Sequence, residues 1–119
     1  SDLFIEATVF DDAKPGMKIV DEEIFGPVLA VLSFDDVEEG IALANETIYG
    51  LAAGIWTKDV QKAHRVARSI RAGTVWINTY NMYDPAAPFG GYKASGYGRA
   101  LGHESLDGFL ETKSVWVAL

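Results

Sequence analysis

Residues 28 to 78 alternate short apolar runs with helical patterns, and this alternation restricts the possible folds more than any other feature of the chain. Val28-Leu29-Ala30-Val31-Leu32 is apolar without interruption, the pattern of a strand covered on both faces in a parallel sheet. Asp36 then stands at a helix N-cap position with Glu39 three residues later, as in a capping box. Val37, Ile41 and Ala44 share one face of the helix this predicts over 37–46. Tyr49-Gly50 breaks the pattern. Ala52 to Thr57 reads as a second buried strand, and Asp59 caps a second helix whose Val60, Ala63, Ala67 and Ile70 point inward. Gly73 occupies the place of a helix C-terminal glycine, and Thr74-Val75-Trp76-Ile77-Asn78 is the third strand. Strand, helix, strand, helix, strand predicts right-handed parallel crossovers and an α/β class.

The flanks are less regular. Ile5 to Phe10 and Met17 to Val20 are β-branched and read as short extended segments, separated by a turn at Pro15-Gly16. Beyond residue 80 come Pro85, Pro88 and five glycines between Gly90 and Gly102, then a predicted last strand at Ser114 to Leu119. There is no internal repeat and no low-complexity tract. Three or four parallel strands with an isolated terminal strand lack partners for their edges, so the chain is expected to be part of a larger body.

Composition removes several functions. At 119 residues with 49% hydrophobic and 23% charged residues, the chain can bury a core. Seventeen acidic against ten basic residues give a net charge of -7, which repels phosphate backbones and anionic lipid, so neither nucleic acid nor membrane is an expected partner. Its apolar runs are too short to span a bilayer, Ser1-Asp2 does not begin a basic signal segment, and the cytoplasm is the expected compartment. With no cysteine, these residues contain no disulfide, thiolate ligand or cysteine nucleophile. His64 and His103 lack metal-binding spacing, so no metal site is expected. Asp11-Asp12, Asp35-Asp36 and Glu38-Glu39 fall at turns and helix starts, where carboxylates cap backbone. Asn45-Glu46-Thr47 is read as a chance match to the glycosylation triplet.

Two segments could carry chemistry. Gly90-Gly91-Tyr92-Lys93-Ala94-Ser95-Gly96-Tyr97-Gly98-Arg99-Ala100-Leu101-Gly102 fails as a phosphate loop, because no third glycine stands at Leu101, no buried strand precedes it and no Gly-Lys-Ser/Thr triplet occurs. Tight turning or close backbone approach is the better reading. In Glu22-Glu23-Ile24-Phe25-Gly26-Pro27, the Glu23 carboxylate and Phe25 ring would project to one side if the segment is extended. On spacing alone, an exposed glutamate beside a core phenylalanine before a strand is the better reading.

Glu22-Glu23-Ile24-Phe25-Gly26-Pro27-Val28 and Pro88-Phe89-Gly90-Gly91-Tyr92-Lys93-Ala94-Ser95-Gly96-Tyr97-Gly98-Arg99 resemble two signature segments of the aldehyde dehydrogenase superfamily. Asn45, Tyr49-Gly50-Leu51 and Gly73 to Asn78 match between them in order and spacing, so the resemblance covers essentially the whole chain. It implies a three-layer α/β fold with a small parallel sheet. Residues 1–80 would be the C-terminal portion of the catalytic domain. Residues 81–119 would hold a substrate-pocket loop, the glycine-rich segment and an oligomerisation strand, in one structural unit from a longer chain. It also implies that Glu23 accepts hydrogen bonds from the nicotinamide ribose of NAD or NADP, that Phe25 packs near the nicotinamide and that Leu51 lies close to the same ring. Phe89 would line the aldehyde pocket, with Tyr83 and Asn81 in the variable loop nearby.

The family reaction uses a cysteine thiolate, an oxyanion-holding Asn and a general-base Glu, all upstream of the matched segments. No catalytic residue is therefore assigned here, and the 119 residues alone are expected to be inactive. Ala100, where many relatives carry Glu, alters one polar interaction near the subunit contact, and Ala7, where relatives often carry Pro, frees a backbone donor. A homo-oligomer acting on a neutral aldehyde is the expected assembly and substrate class. The alternatives are an acylating or semialdehyde dehydrogenase, or a non-catalytic interaction module joined through exposed edges.

Overall fold

The computed structural model describes residues 3–119; Ser1 and Asp2, which bear on the expected absence of a basic signal segment, lie outside the described residues. The chain divides into two compact units, one ending at Ile48 and the other running from Tyr49 to Leu119.

In the first unit, β1 (Thr8–Phe10) pairs in parallel with β2 (Val28–Ala30), in the register Thr8↔Val28, Val9↔Leu29 and Phe10↔Ala30. Between them Lys14-Pro15-Gly16-Met17 forms a turn closed by the Met17 amide on the Lys14 carbonyl at 3.2 Å, with Gly16 at φ 85°. Proline second and a left-handed glycine third define a type II turn. It delivers the chain into α1 (Lys18–Asp21), a single helical turn. The extended segment expected over 17–20 is thus helical, because the turn sets the local backbone and overrides the weak β preference of Ile19 and Val20. The strand expected to be covered on both faces is also not found. β2 has one partner, and Leu29 is 58% exposed.

α2 (Val37–Glu46) occupies the predicted residues. Asp36 Oδ1 accepts from the Glu39 amide at 2.8 Å, and Glu39 Oε2 accepts from the Asp35 amide at 2.7 Å, one residue earlier than a standard capping box requires. Val37 and Ile41 are half-buried while Ala44 is exposed.

The second unit is built on β4 (Ala52–Ile55) and β5 (Thr74–Ile77), parallel and joined through α3 (Val60–Ser69), the predicted crossover. Asp59 caps α3 by accepting from the Lys62 amide at 3.0 Å. Ala63 is 1% exposed and Trp76 7%, so the core of this unit lies where α3 meets the strand pair; Val60, expected inward, faces out. A second, antiparallel pair links β3 (Tyr49–Gly50) to β6 (Tyr92–Lys93), and a 3₁₀ segment covers His103–Phe109. Residues 110–119 form no strand within this chain, so the predicted strand at 114–119 has no ladder here.

Gly73 is not a helix cap. α3 ends at Ser69, and the Gly73 amide instead donates to the Gly50 carbonyl at 3.0 Å.

The two caps yield the first prediction. Asp36→Ala and Asp59→Ala are each expected to lower stability by about 1 kcal/mol, while either Asn variant holds within a few tenths. Denaturant midpoints measured on the four proteins check this, and equal loss in the Ala and Asn variants would contradict the caps.

Candidate functional site

Each candidate side chain is placed by its own unit. In the first, α1 ends with Glu22 in extended geometry at φ -106° and ψ 140°, but Phe25 sits at φ 54° and the Val28 amide closes back on the Gly26 carbonyl at 2.8 Å. The segment is therefore not uniformly extended, and the one-sided projection of Glu23 and Phe25 inferred from spacing does not hold as stated. A left-handed backbone is unfavourable for a bulky residue, by about 1–2 kcal/mol, and such residues concentrate at sites where function requires the conformation. Phe25 is also 91% exposed, so packing within this chain does not compensate the cost. The reading of Phe25 as a core residue is ruled out for this chain. Glu23 is exposed two positions before it.

In the second unit, Leu51 sits between β3 and β4 with its carbonyl accepting from the Thr74 amide at 3.2 Å, and its side chain is exposed. The other candidates lie along a row of rings. Trp76 meets Tyr80 at 4.8 Å and Tyr83 at 5.6 Å between centroids, and Tyr83 meets Phe89 at 5.1 Å, all edge-to-face. This geometry favours the partially positive ring edge against a neighbouring π face. The Trp76 indole also donates to the Met82 carbonyl at 2.8 Å, and the Tyr83 hydroxyl to Asn81 Oδ1 at 3.2 Å. Asn81, Tyr83 and Phe89 are thus brought onto one loop system by the core tryptophan.

The glycine-rich segment fixes Phe89 from the other side. Phe89 and Ala100 exchange both backbone hydrogen bonds at 2.7 Å as an isolated antiparallel bridge. Arg99 Nη1 donates to the Gly91 and Gly98 carbonyls at 3.0 and 2.8 Å, and its guanidinium lies 5.2 Å from the Tyr92 ring centre. Ser95 Oγ accepts from the Gly50 amide at 3.0 Å. Close backbone approach, the expected reading of this segment, is what these contacts show. Trp76, Asn78 and Arg99 carry this placement, and sequence reasoning alone does not find them as site residues. The signal available in sequence was an asparagine ending a strand and an arginine beside glycines.

No group of three or more His, Asp or Glu residues that could hold a metal occurs among the described residues, and no helix there is long and apolar enough to cross a membrane. Surface hollows include one of about 460 Å³ lined by Trp56, Thr57, Ile77 and Asn78 at the end of the β4–β5 pair. Another of about 440 Å³ is lined by Asp12, Lys14, Leu32, Glu39 and Leu43, and a further one by Val60, His64, Arg65 and Arg68 on α3.

The aldehyde dehydrogenase family model matches residues 1–115. An aldehyde dehydrogenase of Bacillus cereus, solved as its NAD+ complex, is 58% identical with a TM-score of 0.91, covering 96% of this chain and 23% of its own. Among curated relatives, an aldehyde dehydrogenase of Enchytraeus buchholzi is 54% identical and the mitochondrial aldehyde dehydrogenase of Rattus norvegicus 51%, each over 114 residues and 96% of this chain. The chain spans 23% and 22% of their respective lengths. A match over nearly every residue, together with a near-identical backbone path, places this chain in the aldehyde dehydrogenase family.

Proposed function

We propose that these residues form the nicotinamide-side edge and part of the aldehyde pocket of an enzyme that oxidises an aldehyde to a carboxylic acid with hydride transfer to NAD(P)+. The observation that carries this reading is Phe25, a large ring held out of the chain at 91% exposure on a left-handed backbone. A ring so displayed offers a flat apolar face, and the nearby Glu23 carboxylate offers acceptors, a set suited to a nicotinamide and its ribose diol. Bound there, NAD(P)+ supplies the hydride acceptor. Glu23 would accept hydrogen bonds from the ribose hydroxyls and Phe25 would limit where the ring can lie, while Leu51 keeps the nicotinamide role that the family resemblance implies. Asn81, Tyr83 and Phe89 would line the aldehyde pocket, where an edge-to-face aromatic wall orients a neutral substrate.

With no cysteine among its 119 residues, the chain cannot itself supply a thiolate. The purified chain is therefore expected to give no aldehyde-dependent NADH. A chimera in which it replaces the matching segment of the Bacillus cereus enzyme is expected to turn over. Turnover by the chain alone, or a folded, NAD+-binding chimera without activity, would contradict the reading.

Val115, Trp116 and Val117 are each at least 75% exposed in a terminal segment that forms neither helix nor ladder within this chain. They favour a role for 114–119 in pairing with another strand and in homo-oligomer formation.

A further inference from the structure

The β4–β5 ladder does not stop where its backbone does. Its last main-chain rung is the Asn78 amide donating to the Ile55 carbonyl at 2.8 Å. In a continuing parallel ladder, the next rung would engage the Thr57 amide and carbonyl with the peptide groups following Asn78. Here the Asn78 side chain takes both places: Oδ1 accepts from the Thr57 amide at 2.9 Å, and Nδ2 donates to the Thr57 carbonyl at 2.9 Å. A carboxamide has the same donor and acceptor as a peptide group, so it completes the rung while the main chain turns away at φ 54°. Asparagine is among the few residues that tolerate this backbone.

The turn decides where the next residues go. Tyr80 folds back against Trp76, and its ring comes within 3.1 Å of where a Cβ on Gly54 would stand. The Trp76 indole holds the Met82 carbonyl, and a second left-handed residue, Asn81 at φ 57°, presents Oδ1 to the Tyr83 hydroxyl. Loop 79–83 is thus tied at its start by the Asn78 amide and at its end by Trp76.

We propose that Asn78 is the positioning residue of the aldehyde pocket: by ending the sheet with its side chain, it sets the exit direction of the loop that carries Asn81 and Tyr83. This deepens the pocket assignment made above and rests on it. Asn78 contacts neither substrate nor cofactor in this role and acts through the loop.

The test uses the Bacillus cereus chimera with Asn78→Ala, Asn78→Asp and Asn78→Gly. Asn78→Gly keeps the left-handed backbone without the amide, and Asn78→Asp keeps the acceptor without the donor. Aldehyde KM is expected to rise roughly tenfold in the Ala and Gly variants and by less in Asp, with NAD+ KM unchanged. Near-ultraviolet circular dichroism from the Trp76, Tyr80 and Tyr83 rings should change in the same order. Tyr83→Ala serves as the control for the pocket itself. Wild-type spectra and aldehyde KM in Asn78→Gly would overturn the proposal. A changed spectrum with wild-type aldehyde KM would also overturn it, and Tyr83→Ala then separates the cases. A raised KM in that control leaves the pocket reading standing, and an unchanged one removes it.

Discussion

Gly73→Ala is expected to lower the thermal inactivation midpoint of the Bacillus cereus chimera by roughly 10 °C or to prevent its folding, corresponding to about 3 kcal/mol or more. A Cβ at this position would overlap the Gly90 carbonyl oxygen and stand 2.8 Å from its carbon. Both are backbone atoms, so no rotamer change relieves the overlap. Either the glycine-rich segment shifts away, or the start of β5 does. Each choice breaks something specific. Gly73 and Thr74 donate to the Gly50 and Leu51 carbonyls at 3.0 and 3.2 Å, and Gly90 adjoins the Phe89–Ala100 bridge. Gly98→Ala is the control: nothing stands within 4 Å of its added Cβ, and the cost there should stay below about 1 kcal/mol. Comparable losses in the two variants would show that the close approach of Gly73 to Gly90 does not govern stability.

The reason Gly73 matters separates what the sequence could express from what it could not. α2 and α3 were readable because a cap is a local event, with Asp36 and Asp59 each meeting an amide three residues on. The β4–β5 pairing was readable because a single helix joins the two strands. Gly73 looked like a helix cap because the residue it must admit, Gly90, is seventeen positions away, and nothing nearby encodes that approach. The pairing of β1 with β2 is similarly non-local, which is why the apolar run at β2 reads in sequence as an interior strand. The family resemblance pointed to Glu23, Phe25, Asn81, Tyr83 and Phe89, but the left-handed backbone at Phe25 and the side-chain rung at Asn78 have no periodic signature. Backbone conformations of this kind reflect the competition between local strain and distant hydrogen bonds, which spacing does not express.

Phe25 is where that competition is most informative, since its ring is held outward at a backbone cost. In the chimera, Phe25→Gly and Phe25→Ala are both expected to slow hydride transfer by about a hundredfold, as measured by single-turnover NADH formation. Their stabilities should differ. Glycine adopts φ 54° freely while alanine retains part of the strain, so Phe25→Gly should be the more stable by roughly 1 kcal/mol. Loss of rate without loss of stability is the signature of a residue kept for what it contacts in the working enzyme. Glu23→Gln should slow the same step by about tenfold, because the amide retains an acceptor but loses the charge that strengthens hydrogen bonds from the ribose. NAD+ affinity should fall with it, and folding should not. Were Phe25→Gly to transfer hydride at the wild-type rate, the ring would have no part in placing the nicotinamide, and its exposure would need another cause.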